Sequence, residues 1–264
     1  MAGRVRLSCR ARPGGARAAR AIHPALVRVR NALRALRPTG PWWALALLAI
    51  AGALAVWAFD HSALGSGPGG LGRPGGPGEP AGAGGPGTAT LAAWLDWQPT
   101  LALQQPWRSV TAAWVHLSGQ HLVGNLVGAV LVAAYGSAAG CGRRAALAWA
   151  LAWPLTHAAL ALQPTLGHYG GLSGLMHAGV AVACWQLLCG EQGQRRAVGA
   201  AVLAMMTLKL LLEAPWQGGP LRHEPGWDIA IAPLAHTTGA LAGLLCAAAC
   251  GVGADARRQR PSSA

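Results

Sequence analysis

His168-Tyr169-Gly170-Gly171-Leu172-Ser173-Gly174-Leu175-Met176-His177 sets a serine between glycines at the mouth of an apolar run that continues through Ala183, Cys184 and Trp185 to Leu188. If that run is a membrane helix, Ser173 sits on its first turn, where backbone N–H groups lack intrahelical partners and stand beside the hydroxyl. That is a setting for acyl chemistry. Gly-x-Ser-Gly alone serves close helix packing as well, since small residues let two backbones approach in lipid. The rest of the chain decides between the two.

The chain has 264 residues, 53% of them hydrophobic and 11% charged, and its apolar residues come in long runs rather than in alternation. This composition points to an integral membrane protein. A net charge of +13 would suggest nucleic acid in a soluble protein, but ten of the 21 basic residues precede residue 40 and no acid occurs before Asp60. The basic block reads as a cytoplasmic flank, and no nucleic-acid partner is expected. Six cysteines occur without a C-x-x-C pair, so neither a metal, a cofactor nor a disulfide framework is expected.

Residues 1–40, rich in Arg and Ala, read as a basic, disordered cytoplasmic segment. Residues 41–59 form an apolar span with tryptophans at both ends, the first transmembrane helix. Over 60–90 lies an external tether; from Gly65 to Gly87, 12 of 23 residues are Gly and five are Pro, which cannot build a core. Residues 91–118 interleave Trp94, Trp97, Trp107 and Trp114 with glutamines and Arg108, a mixture suited to the membrane interface. Further spans are expected at about 119–137, 144–162, 171–189, 197–213 and 230–251, with Lys209 snorkelling at the end of the fifth helix. Residues 253–264 are the tail.

The expected fold is therefore all-α, a polytopic bundle of six transmembrane helices. Seventeen of the 21 basic residues (the ten N-terminal arginines with Arg143, Arg144, Arg195, Arg196, Arg257, Arg258 and Arg260) fall on one side, and four (Arg73, Arg108, Lys209 and Arg222) on the other. The positive-inside rule then makes both termini cytoplasmic.

With that topology the second, fourth and sixth helices run in the same direction, so residues near their starts share a depth. His121 and Asn125, Ser173, and His236 about six residues into the sixth span all fall in the outer leaflet. Polar side chains in apolar spans are costly and point to function. Ser173 is a poor nucleophile until a base takes its proton, and His236 is matched to that task. The backbone N–H of Ser173, with His121 and Asn125 on one face at i, i+4, could receive the oxyanion. Glu213, Glu224 and Asp228 lie in or beside the outer loop, so a dyad rather than a triad is expected. Gly239 and Gly243, in line with His236, face a small Gly174/Ala178 stripe, allowing close approach of the two helices. His116 and His157 read as structural, His223 as a loop residue.

These motifs resemble the rhomboid family of intramembrane serine proteases. Trp107-Arg108, His116-Leu117-Ser118, His121-x-x-x-Asn125, Gly171-Leu172-Ser173-Gly174 and His236-x-x-Gly239-x-x-x-Gly243 occur in the family's order and approximate spacing. The resemblance covers about 91–250 and makes 91–252 a catalytic core. It implies a six-helix fold, a half-submerged loop carrying Trp107-Arg108 and a water-filled cavity open to the outside. Ser173 would be the nucleophile and His236 the base; His121 and Asn125, supported by Gly171 and Gly174, would hold the oxyanion.

His177 stands where many rhomboids have a tyrosine under the catalytic histidine. Gly-Leu-Ser-Gly-Leu-Met-His looks like the rhombosortase branch, whose bacterial members are paired with proteins bearing a C-terminal Gly-Gly sorting tail; Ala178, where a glycine is expected, departs from it. The implied protein sits in a bacterial inner membrane, in contact with lipid and a single-pass substrate. A housekeeping rhomboid with broad substrates, a catalytically inactive client-binding protein and a proton-relay transporter are the rival readings.

Overall fold

The structure is a computed structural model that describes residues 39–62 and 90–254. The basic segment expected over 1–40, the tether over 60–90 and the tail over 253–264 fall almost wholly outside the described residues.

Helix α1, Pro41–Asp60, begins with proline at its first position and carries a continuous apolar sequence. The segment after it folds into short pieces, α2 (Leu91–Leu95), a 3-10 turn at Pro99–Leu101, α3 (Arg108–Thr111) and a second 3-10 turn at Ala112–Trp114. Five longer elements follow: α4 (Gly119–Ala138), α5 (Arg143–Ala158, extended as a 3-10 turn to Leu162), α6 (Ser173–Gly190), α7 (Gly193–Glu213) and α8 (Pro233–Ala249). Between α7 and α8 a two-residue ladder pairs β1, Arg222–His223, antiparallel with β2, Ala230–Ile231. The described residues are mostly helical, and this two-residue ladder is a local departure from the all-α expectation. It takes up the first residues expected of the last span, so α8 starts at Pro233 and His236 lies in its first turn, nearer the helix end than expected.

Among the described residues, α1, α4, α5 with its 3-10 extension, and α6 are long and apolar enough to cross a membrane. Helix α7 holds Arg195, Arg196, Lys209 and Glu213, and α8 has only 17 residues. Both helices occupy stretches expected to span, without themselves meeting that length and composition.

Packing follows the rules of a lipid-facing bundle. Alanines such as Ala46, Ala53, Ala133, Ala148, Ala152, Ala178 and Ala181 are fully buried, while Leu47, Leu131, Leu147, Leu212 and Leu245 face outward. Lipid supplies no hydrophobic drive to hide leucine, so close backbone approach over small residues holds the helices together. Indoles lock the layers. Trp42 of α1 packs on Trp149 of α5 with ring centroids 4.3 Å apart. The Trp149 indole donates to the carbonyl of Leu175 at 2.9 Å, tying α5 to α6.

Candidate active site

The loop that leads to Ser173 is held from both sides before it enters α6. Trp97 and Tyr169 exchange backbone hydrogen bonds of 2.8 and 2.9 Å, and the Gly171 N–H donates to the Ala112 carbonyl at 2.9 Å. The 91–118 segment is therefore the splint for the residues before Ser173. Arg108 builds the splint: buried, it donates to the Asp96 carboxylate at 2.8 Å and to the carbonyls of Ala93 and Asp96. A buried charge is tolerable when it is paired and hydrogen-bonded, as here. Asp96 also accepts from His168, which precedes the loop, and the bond raises the His168 pKa above its ordinary value. Trp107 is half exposed beside Arg108, and neither residue is brought to the serine.

Ser173 occupies the first position of α6, and His236 the first turn of α8. The Ser173 hydroxyl lies 3.1 Å from His236 Nε2. Small residues make this contact possible. A methyl group at Gly239 would collide with the Gly174 carbonyl oxygen, and one at Gly243 with that of Ala178, so α6 and α8 run backbone against backbone. Gly174 is itself closed in by Thr156 and the Ala235 carbonyl. The His177 ring stacks on His236 at 4.4 Å and 19° between planes, and its Nδ1–H donates to the Ser173 carbonyl at 2.7 Å. A histidine thus fills the floor under His236.

His121 and Asn125, one turn apart on α4, converge on Gly171. With φ at +129°, Gly171 has a backbone shape that other residues rarely adopt, and a Cβ there would lie 2.7 Å from His121 Nε2 and 3.3 Å from Asn125 Nδ2. The space that this missing Cβ leaves is faced by two nitrogen atoms. The Leu117 N–H donates to His121 Nδ1 at 3.4 Å, which puts the imidazole proton on Nε2, facing the space. Asn125 Nδ2 is buried without a hydrogen-bond partner. Two donors aimed at one gap two residues before Ser173 can receive a developing negative charge.

Two histidines outside the pair behave as structural groups. His157 is fully buried and donates to the Ser109 carbonyl at 2.6 Å. His116 donates to the Trp114 carbonyl at 3.2 Å, and burial holds its pKa down at about 4, so its ring stays neutral against His121. His223 lies in β1, exposed.

The expected absence of a nearby carboxylate is corrected. Glu213, the last residue of α7, places Oε2 2.8 Å from His236 Nδ1, and Lys209 donates to its other oxygen. Expected in or beside the outer loop, Glu213 instead ends α7, which carries it to His236. The available signal was the i, i+4 spacing of Lys209 and Glu213, which puts both on one helix face.

The loop beyond α7 folds over the start of α4. Ser118 donates to Asp228 at 2.7 Å, Gln120 to the Gly226 carbonyl at 2.6 Å, and the Trp227 ring lies against Gly124.

No curated protein and no solved structure matches the chain. A Rhomboid domain, however, is matched over residues 103–252, from within the splint through the whole of α8. The match takes in more than half of the 264 residues, including both helices that meet at Ser173 and His236. Together with the long apolar helices, it makes this a multi-pass membrane protein that belongs to the rhomboid family of intramembrane serine proteases.

Proposed function

We propose that this chain is an active serine endopeptidase of the bacterial inner membrane that cleaves single-pass proteins near its outer face. All six long helices cross in this reading, with both termini cytoplasmic. The observation that carries it is the 3.1 Å contact between Ser173 Oγ and His236 Nε2, bridging two helices at their first turns. His236 Nε2 takes the hydroxyl proton as Ser173 Oγ bonds to the scissile carbonyl carbon. The Nε2–H of His121, the amide of Asn125 and the Ser173 N–H hold the resulting oxyanion. His236 then returns the proton to the departing amine as the C–N bond breaks, leaving an acyl-enzyme for water or another nucleophile.

A substrate helix hides its carbonyls in internal hydrogen bonds, so it must unwind before Ser173 can attack. A Gly-Gly pair ahead of the membrane anchor eases that, because glycine holds a helix poorly. We assign the chain to the rhombosortase branch on the run Gly171-Leu-Ser-Gly-Leu-Met-His177, with Gly-Gly-tailed proteins as substrates.

The deciding experiment labels detergent-solubilised protein with a fluorophosphonate probe. Wild type should label, and Ser173→Ala and His236→Ala should not. A folded wild type that stays unlabelled would move the client-binding reading ahead. A membrane-anchored reporter with a Gly-Gly tail should be cut faster than one with Leu-Leu in its place. Equal rates would favour a housekeeping protease of broad specificity.

A further inference from the structure

A serine-histidine pair by itself leaves one question open at every turnover: which imidazole nitrogen carries the proton. If Nε2 carries it, the ring cannot accept from Ser173 and the hydroxyl stays inert. Around His236 two groups compete to answer. Lys209 Nζ lies 3.4 Å from Nδ1, and an ammonium donating there would leave the proton on Nε2. Glu213 Oε2 lies nearer, at 2.8 Å, and a carboxylate can only accept, so it requires the proton on Nδ1.

We infer that Glu213 is a positioning residue that sets the reactive tautomer of His236 by occupying both competing donors, Lys209 on Oε1 and the His236 Nδ1–H on Oε2. This rests on the serine-protease reading of Ser173 and His236, and it makes the site a triad with its acid on a third helix. The geometry has backbone support. Helix α7 stops at Glu213 because Ala214 takes the left-handed conformation, φ 42°, a shape that favours glycine and that alanine adopts at a cost. The Glu213 side chain is largely buried while Lys209 is about half exposed, so the carboxylate faces inward and its cation lies at the edge. Among the described residues, the charged and titratable groups around His236 are Glu213 and Lys209 from α7, His177 from α6 and His121 from α4.

During the reaction no proton reaches Glu213. The Ser173 proton moves to Nε2, the imidazolium keeps its Nδ1–H on the Glu213 carboxylate, and the Nε2 proton leaves with the amine. Glu213 remains ionised, holding the ring plane and the charge of the imidazolium.

Glu213→Gln keeps the shape but has one acceptor oxygen for two donors; with Lys209 on that oxygen, the amide N–H is left to donate to Nδ1 and hold the proton on Nε2. The test measures saturation kinetics of fluorophosphonate labelling for wild type, Glu213→Gln and the double variant Glu213→Gln/Lys209→Met. We expect Glu213→Gln to lower the limiting inactivation rate by about 100-fold, a typical share for positioned proton transfer, with little change in half-saturation. Removing the competing ammonium in the double variant should recover several-fold of that loss, which a residue that merely holds the fold would not produce.

A Glu213→Gln protein that labels within about twofold of wild type overturns the inference, as does a double variant no faster than the single one. Histidine ¹⁵N chemical shifts separate this inference from the reading beneath it. If wild type takes no probe and yet Glu213→Gln moves the His236 ring from the Nδ1–H to the Nε2–H tautomer, the protease reading fails and the assignment of Glu213 stands. If the tautomer does not move, the assignment fails whatever the labelling shows.

Discussion

The carbonyl oxygen of Gly174 stands where a side chain at residue 239 would begin, so the helix bearing Ser173 and the helix bearing His236 touch along bare backbone. Gly239→Ala must push α6 and α8 apart. Overpacking of this kind costs about 1–3 kcal/mol, and even a small separation takes a 3.1 Å contact out of hydrogen-bond range. The variant should melt at lower temperature in detergent and lose fluorophosphonate labelling. Normal labelling would show that the helices can slide past the added methyl.

Gly171 offers a different outcome, because its missing side chain leaves the space that faces His121 and Asn125. Gly171→Ala fills that space and strains the backbone at φ +129°. Labelling should fall by about 100-fold, the effect of losing one oxyanion donor. Asn125→Ala should show a similar loss with little change in melting temperature, since Asn125 Nδ2 has no partner to forfeit. Unchanged labelling in both would remove the oxyanion role from this corner.

The splint beneath the loop that leads to Ser173 should respond to pH. Its bond to Asp96 raises the His168 pKa above the ordinary 6.5, partly offset by burial and by Arg108. A raised folded-state pKa contributes stability that is fully present below about 6.5 and is lost as the pH rises through the folded-state value. The melting-temperature difference between wild type and His168→Gln should therefore shrink from mildly acidic to alkaline pH. A difference independent of pH would mean that the His168–Asp96 bond does not depend on charge.

The loop between α7 and α8 is tied down at Asp228, outside the reacting groups. Asp228→Ala frees it from Ser118 while leaving Ser118 to cap α4 through the His121 N–H. If the loop caps the site, bulky fluorophosphonates should label the variant faster and small ones at the wild-type rate. Loss of labelling by both probes would show that the loop helps to build the site rather than to cover it.

Much of the molecule was legible in the chain because the relevant physics is local. A run such as 41–59 is a membrane helix by composition, and small residues spaced one turn apart, Gly239 with Gly243, state which faces can meet. Ser173 among glycines and His236 three residues before Gly239 were visible for the same reason. Arg108 was legible as a motif but not as a splint, since its partner Asp96 is 12 residues away across a turn.

Residue order by itself determined the apolar spans, the serine between glycines and the histidines and asparagine at helix starts, because composition and helical spacing require no knowledge of neighbours. Only the tertiary structure decided that α8 begins at Pro233 and that Glu213 turns inward onto His236. A charged residue at the end of a span can serve the loop or the core equally well as far as composition goes. What decides is the depth and rotation of its helix, and these are set by packing against residues far away in the chain, 23 positions in the case of Glu213 and His236.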